Sequence, residues 1–299
     1  MTDAGLFLAI YAGLCLVSFF PSLDLVNESW ESPQWEIPGS IKPGEILTIP
    51  ISKTLGLPRI NGENFSLSPK GDRWWGVTGI TEAKATLVYG EAKGINANSG
   101  FHRTVTYYRA YVPVVGPGLS QASKLRIPSS TWAKVNDKFA PQKKYERDLM
   151  SRILSQRAGD PPSSCFRPPL DSKIVSRFAS PRTLPNGRSY HHTGVDLRAS
   201  TGTPVMAMAS GQVSYANPMI VPGNVVVLNH GDGLFSRYMH LSKIKVKEGD
   251  VVKAGEVVGL SGATGRVEAP HLHWEVIWKG YHANPRQFVR LWEQICDPT

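Results

Sequence analysis

The stretch "KIKVKEGDVVKAGEVVGLSG", Lys243 to Gly262, decides how the second half of this chain folds. Short valine-rich runs are broken by Gly249, Gly255, Gly259 and Gly262, so strands follow one another through tight reversals that glycine accommodates. The neighbouring segments "TPVMAMASGQVSYAN", "GNVVVLNH", "LFSRYMHL" and "HLHWEVIWKG" are β-prone runs of the same kind. No amphipathic helix of crossover length separates them. An antiparallel β fold is therefore expected over residues 166–299, rather than a parallel α/β sheet.

Working toward the N-terminus, "RAGDPPSSCFRPPLDS" (Arg157–Ser172) carries four prolines and reads as a linker. Before it, residues 129–165 form a partly helical connector: Ser130 is placed to cap a short helix, Pro141 to interrupt it, and Lys143–Leu154 to form a second helical piece with a solvated charged face. Residues 30–128 read as a small all-β domain, with strand-like runs "GEILTIPIS", "RWWGVTGI", "ATLVYG" and "RTVTYYRAYVPV". Its Trp74 and Trp75 are expected to pack rather than to form a carbohydrate platform.

Residues 1–25 hold "LFLAIYAGLCLVSFF" (Leu6–Phe20), an uncharged run of secretory h-region length but short of the roughly 20 residues of a bilayer span. A signal peptide or membrane anchor is expected, and with it export to the periplasm or cell envelope. Of the three cysteines, Cys165 and Cys296 remain beyond that segment and suit one disulfide in an oxidising compartment. The net charge of +9 favours an anionic partner such as phospholipid or an acidic wall polymer. Nucleic acid is not expected, because the basic residues are dispersed and lack an aromatic ladder.

The chemistry lies in the histidines. Seven of the eight fall between His191 and His282. In "HHTGVD", His192 and Asp196 flank Gly194, which lets the backbone turn so that both side chains face one ion. In "SRYMHL", strand alternation puts Ser236, Tyr238 and His240 on one face. In "HLH", His271 and His273 share a face, and Glu275 follows on it as a supporting carboxylate. Two imidazole nitrogens and a carboxylate oxygen, with a position left open for water, are a catalytic zinc set. His192, Asp196 and one histidine of the H-x-H supply it; the other and His240 are left for proton transfer or oxyanion stabilisation. Spacing does not choose between His271 and His273.

The order H-x-G-x-D (His192–Asp196), G-T-P-V (Gly202–Val205), N-H-G (Asn229–Gly231), Y-x-H (Tyr238–His240), G-D-V-x-x-x-G (Gly249–Gly255), G-x-T-G (Gly262–Gly265) and H-L-H (His271–His273) resembles the lysostaphin-type zinc endopeptidases that cleave cell-wall peptides. The likeness runs from about Pro169 to Pro285. It implies an antiparallel β-sandwich with a zinc groove, Zn2+ held by His192, Asp196 and His273, and His240 with His271 assisting hydrolysis. The implied substrate is a stem peptide or cross-bridge of peptidoglycan. The front β region resembles, more loosely, the accessory domains that precede such catalytic domains in envelope proteins, which implies an envelope regulatory protein as a second partner. Members of this family often have glycine where Ala179 follows Phe178, so the loop before Arg182 departs from the pattern. The rival within the fold is a non-catalytic wall-binding or hydrolase-activating protein. A biotin- or lipoyl-carrier reading of "VKEGDVVKAGEVVG" fails because Lys253 is not in a modification hairpin.

Overall fold

The computed structural model describes residues 39–50, 58–60, 63–64, 73–77, 86–95, 102–112, 114–117, 119–160 and 165–293. The apolar run Leu6–Phe20, Cys15 and Cys296 lie outside the described residues, as do the side chains of Trp74 and Trp75. Among the described residues no helix is long and apolar enough to cross a membrane. Cys165 is disulfide-bonded.

The front region gives β1 (Ile46–Pro50), β2 (Pro58–Ile60), β3 (Glu63–Asn64), β4 (Arg73–Val77), β5 (Thr86–Ile95) and β6 (His102–Val112). They pair antiparallel, β1 with β4 and the rest in the order β3-β2-β5-β6. β7 (Ser123–Lys124) ends that region, and the connector follows with α1 (Ser129–Val135) and α2 (Ala140–Leu154). Two expectations change here. Ser130 lies inside α1, whose preceding residue Pro128 makes no side-chain cap. Pro141 sits in the first turn of α2 and starts that helix rather than interrupting one, because a missing N–H costs nothing where no intrahelical acceptor exists.

The remaining elements are β8 (Ile174–Ser176), β9 (Pro181–Thr183), β10 (Ser189–His191), β11 (Val195–Arg198), β12 (Pro204–Met206), β13 (Gly211–Met219), β14 (Gly223–Asn229), β15 (Leu234–Leu241), β16 (Lys243–Ile244), β17 (Val251–Val252), β18 (Val257–Leu260), β19 (His271–Trp278), β20 (Tyr281–Ala283) and α3 (Pro285–Glu293). Eight of them form one antiparallel sheet in the order β17-β13-β14-β15-β19-β11-β8, with β20 added to β19. A second antiparallel sheet runs β12-β18-β16. The mainly β, antiparallel expectation holds. One pair departs from it: β7, from the end of the front region, runs parallel to β9.

The large sheet is covered on both faces. On one, Val226, Leu228, Leu272 and Trp274 share a core with Val205 and Val258 of the smaller sheet and with Phe288 and Trp292 of α3. Phe166 closes this core, fully buried, edge-on to Phe288 at 5.2 Å and to Trp292 at 4.5 Å. On the other face Val225, Val227, Phe235 and Ile277 pack with Met150 of α2. That contact buries Glu146, whose carboxylate accepts the Ile220 N–H at 3.0 Å. The charged face of α2 is thus not wholly solvated. The same strands that bury alternate residues in these cores present the remaining ones to a groove.

Candidate metal centre and active site

β11 and β19 lie side by side, with Asp196 directly opposite His273 and Arg198 opposite His271. Cross-strand partners share a face, so the register puts Asp196, His273 and His271 together. Their alternates Leu197, Leu272 and Trp274 go into the core, as the strand reading of "HLHWEV" expects. His192 arrives from the turn before β11. Gly194 makes this possible through close approach: a Cβ there would lie 2.3 Å from Trp274 O and 2.9 Å from His273 Nε2. The glycine is required by the neighbouring strand more than by the turn itself.

Asp196 Oδ1 stands 3.1 Å from His192 Nε2 and 2.8 Å from His273 Nδ1, and the two nitrogens are 2.9 Å apart. All three residues are buried. Zinc at ordinary N and O distances spaces tetrahedral donors by about 3.3 Å, so this triangle fits one ion with little adjustment. Two imidazoles and a carboxylate are also the donor chemistry of Zn2+, which is the cofactor this site takes.

Each ligand is backed by a second group. His192 Nδ1–H donates to Arg177 O at 2.8 Å, which leaves Nε2 as its donor atom for metal. His273 Nε2 lies 3.0 Å from Glu275 Oε1, which leaves Nδ1. Arg182 Nη2 donates to Asp196 Oδ2 at 2.6 Å and leaves Oδ1 inward. Burial opposes ionisation of Asp196, but the hydrogen bonds to His192 and His273 outweigh it and hold the carboxyl far below its usual range. Burial likewise opposes the charged form of His273, yet Asp196 and Glu275 raise its pKa. Glu275, wholly buried, is held well below the ordinary range because Arg237, 2.5 Å from Oε2, and His282 outweigh its desolvation. Thr193 Oγ1 donates to Glu275 Oε1. Glu275 thus supports the metal site as the strand face suggested. Arg237 was not singled out from sequence; its signal was a lone cation on the same strand as Tyr238 and His240, legible only with the Arg237–Glu275 register.

His240 corrects one expectation. It does not share a face with Ser236 and Tyr238, which turn into the interior: Tyr238 OH accepts the Met208 N–H at 2.8 Å and lies 2.9 Å from Ser236 Oγ. Pairing of β14 with β15 shifts between Asn224 and Val226, which sets Met239 and His240 against Val225 alone, and His240 has φ of 63°. This bulge reverses the alternation and aims the ring at the groove. There it sits 4.9 Å from the His271 ring and 6.0 Å from the His273 ring, centroid to centroid. His240 Nδ1–H donates to Thr264 O, and His271 Nδ1–H to Ala269 O, both at 2.8 Å. Each therefore turns Nε2 away from its carbonyl, and His271 Nε2 reaches within 3.6 Å of Asp196 Oδ1. Burial first, then His271 and His273, push the pKa of His240 well down, which favours the uncharged ring.

The other histidines stay outside the triangle. His191 Nε2 lies 2.9 Å from Pro117 O of the front region, and His230 is buried between Ser210 O and Ser236 Oγ. His282 lies on β20 with Nδ1 3.8 Å from Glu275 Oε2. The groove above the triangle measures about 570 Å3, and Ser123, Leu125 and Ile127, just ahead of the connector, form part of its wall.

Residues 190–285 match Peptidase family M23. The domain that carries the site belongs to that family. This M23 domain is 45% identical over 121 residues to the peptidoglycan DD-endopeptidase ShyA of Vibrio cholerae, a stretch that is 40% of this chain and 28% of that protein. It is 43% identical over 120 residues to the DD-carboxypeptidase/endopeptidase Mpg of Neisseria meningitidis, covering 39% of this chain and 28% of that protein. The chain thus matches less than a third of the length of these relatives. A crystal structure of an M23 peptidase from Pseudomonas aeruginosa superposes with a TM-score of 0.59 at 25% identity, covering 83% of this chain and 94% of that one.

Proposed function

We propose that this chain is a zinc-dependent metalloendopeptidase of the lysostaphin type, hydrolysing peptide bonds in peptidoglycan stem peptides or cross-bridges during cell-wall remodelling. The observation that carries the reading is the His192–Asp196–His273 triangle, with donor atoms no more than 3.1 Å apart, faced by two further imidazoles that present Nε2. A zinc ion held there supplies Lewis acidity and lowers the pKa of bound water toward neutrality. His192, Asp196 and His273 hold it. His240, neutral through burial, takes the proton released as water attacks the amide carbonyl and passes it to the departing amine. His271, next to it, hydrogen-bonds the oxyanion through Nε2. The presence of all five residues favours an enzyme over a wall-binding or hydrolase-activating relative of the same fold.

The same reading takes the two sheets as layers of a β-sandwich, since Val205 and Val258 of one share a core with Val226 and Leu228 of the other. It places the protein in the cell envelope after export, where peptidoglycan lies, with Leu6–Phe20 as signal or anchor. The front region then positions or regulates the catalytic domain, with an envelope protein as its partner; backbone ties such as Asn284 N to Gly44 O at 2.8 Å support that role. The test is mass spectrometry of products from intact peptidoglycan, comparing zinc-loaded wild type with zinc-loaded His240→Ala. New free amines are expected from the wild type and not from the variant, with one zinc per chain in both. A folded, zinc-loaded wild type that releases none would refute the assignment.

A further inference from the structure

Four arginines line the groove: Arg182, Arg198, Arg237 and Arg266. Two of them are engaged. Arg182 holds Asp196 and Arg237 holds Glu275, so each cancels a buried carboxylate of the metal site. Arg198 and Arg266 form no ion pair among the described residues. The other groove acid, Glu268, accepts the backbone N–H of Arg126.

Arg266 is also held in place. Its guanidinium carbon lies 5.2 Å from the centroid of the Tyr190 ring, and its backbone N–H donates to Val221 O at 2.9 Å. A guanidinium stacked on an aromatic face keeps its fork of N–H donors open at the edge. Arg198 stands across from His271, on the groove face of β11. Two cations with no ion-pair partner among the described residues, beside a site that itself takes a dication, favour an anion in the groove.

We infer that Arg266, seconded by Arg198, binds a carboxylate of the substrate beside the scissile amide and so directs this groove to acidic stem peptides over neutral glycine bridges. This rests on the peptidase reading and adds a specificity residue to it. Arg266 is a binding residue, outside the metal triangle and outside the proton path.

The test uses the zinc-loaded full chain and three peptides: a cross-linked muropeptide dimer with a free carboxylate next to the scissile bond, the same dimer with that group as its primary amide, and a pentaglycine-bridged peptide. One charge-assisted bidentate contact predicts that the wild type prefers the acid to the amide by about tenfold or more in kcat/KM. Arg266→Gln should bring that ratio close to one, chiefly through KM on the acid, with zinc content unchanged. Arg266→Lys should keep part of it, because charge remains and the fork is lost. Arg198→Gln should reduce it less than Arg266→Gln. Equal cleavage of acid and amide by the wild type, or equal losses on both in Arg266→Gln, overturns the inference. Calorimetric binding of the same peptides to zinc-loaded His240→Ala separates it from the peptidase reading. If the wild type cleaves nothing while Arg266-dependent preference for the acid persists in binding, hydrolysis is wrong and the carboxylate site stands. Binding without preference overturns the site whatever the hydrolysis shows.

Discussion

His273, rather than His271, joins the cluster of His192 and Asp196 through its partners. Strand alternation places it and His271 on one face, and spacing stops there. The choice is made by register, since Asp196 faces His273 and Arg198 faces His271, and register depends on pairings between residues far apart in sequence. Glu275 completes the arrangement by accepting from Nε2 at 3.0 Å. Glu275→Gln should therefore weaken zinc binding by about 10- to 100-fold, as expected when a carboxylate behind a ligating histidine is lost. A chelator competition would measure it, and affinity unchanged from wild type would show that Glu275 does not position the ring. The same substitution leaves Arg237 buried beside a neutral amide, so thermal unfolding should shift down by the cost of a broken buried pair, about 3 kcal/mol. His240 was legible as a candidate but not in its direction. Alternation gives the wrong face, and only a bulge with positive φ at His240 corrects it; nothing in "SRYMHL" announces that extra residue.

Among the elements, strands were easier to read than their approaches. Glycine-punctuated valine runs give β12 to β18 because each run is local, and the antiparallel order follows from short connections. The burial of Glu146 on α2 was not readable, since its partner, the Ile220 N–H, is 74 residues away. Two loop positions test how tightly the approaches to β11 are built. Gly194→Ala places a Cβ against Trp274 O and His273 Nε2, so β11 and β19 must part and both stability and zinc affinity should fall. Ala179 is the opposite case: it is buried with φ of 58°, a left-handed conformation that costs a non-glycine residue about 1 to 2 kcal/mol. Ala179→Gly should relieve that strain against the smaller entropic penalty of a freer unfolded chain, for a net gain of about 0.5 to 1 kcal/mol in chemical denaturation. A loss of stability would mean that the Ala179 methyl is held by packing that outweighs the backbone.

For the whole molecule, the concentration of histidine in the second half has a consequence beyond the metal. His230 is buried with its ring nitrogens spent on Ser210 O at 2.8 Å and Ser236 Oγ at 2.7 Å, and burial lowers its pKa to about 4. A neutral histidine fits there: Nδ1–H donates to the carbonyl and Nε2 accepts from the hydroxyl. In the unfolded chain the same ring titrates near 6.5. Between those values the unfolded state binds a proton that the folded state refuses, so stability falls as pH drops below about 6.5 and this loss is complete near pH 4. At pH 7 the group is neutral in both states and contributes no such penalty. Between pH 7 and 4.5 the shift corresponds to about 2 kcal/mol from this one residue. His230→Gln keeps an amide donor and an acceptor and removes the titration. It should lower stability at pH 7 through imperfect replacement of two hydrogen bonds, yet lose less on acidification than the wild type by about 2 kcal/mol. Urea unfolding of the zinc-loaded chains at pH 7 and 4.5 compares the two slopes, with His192 and His273 engaged by metal in both. Parallel slopes would show that His230 is already protonated in the fold or that its burial does not control acid stability.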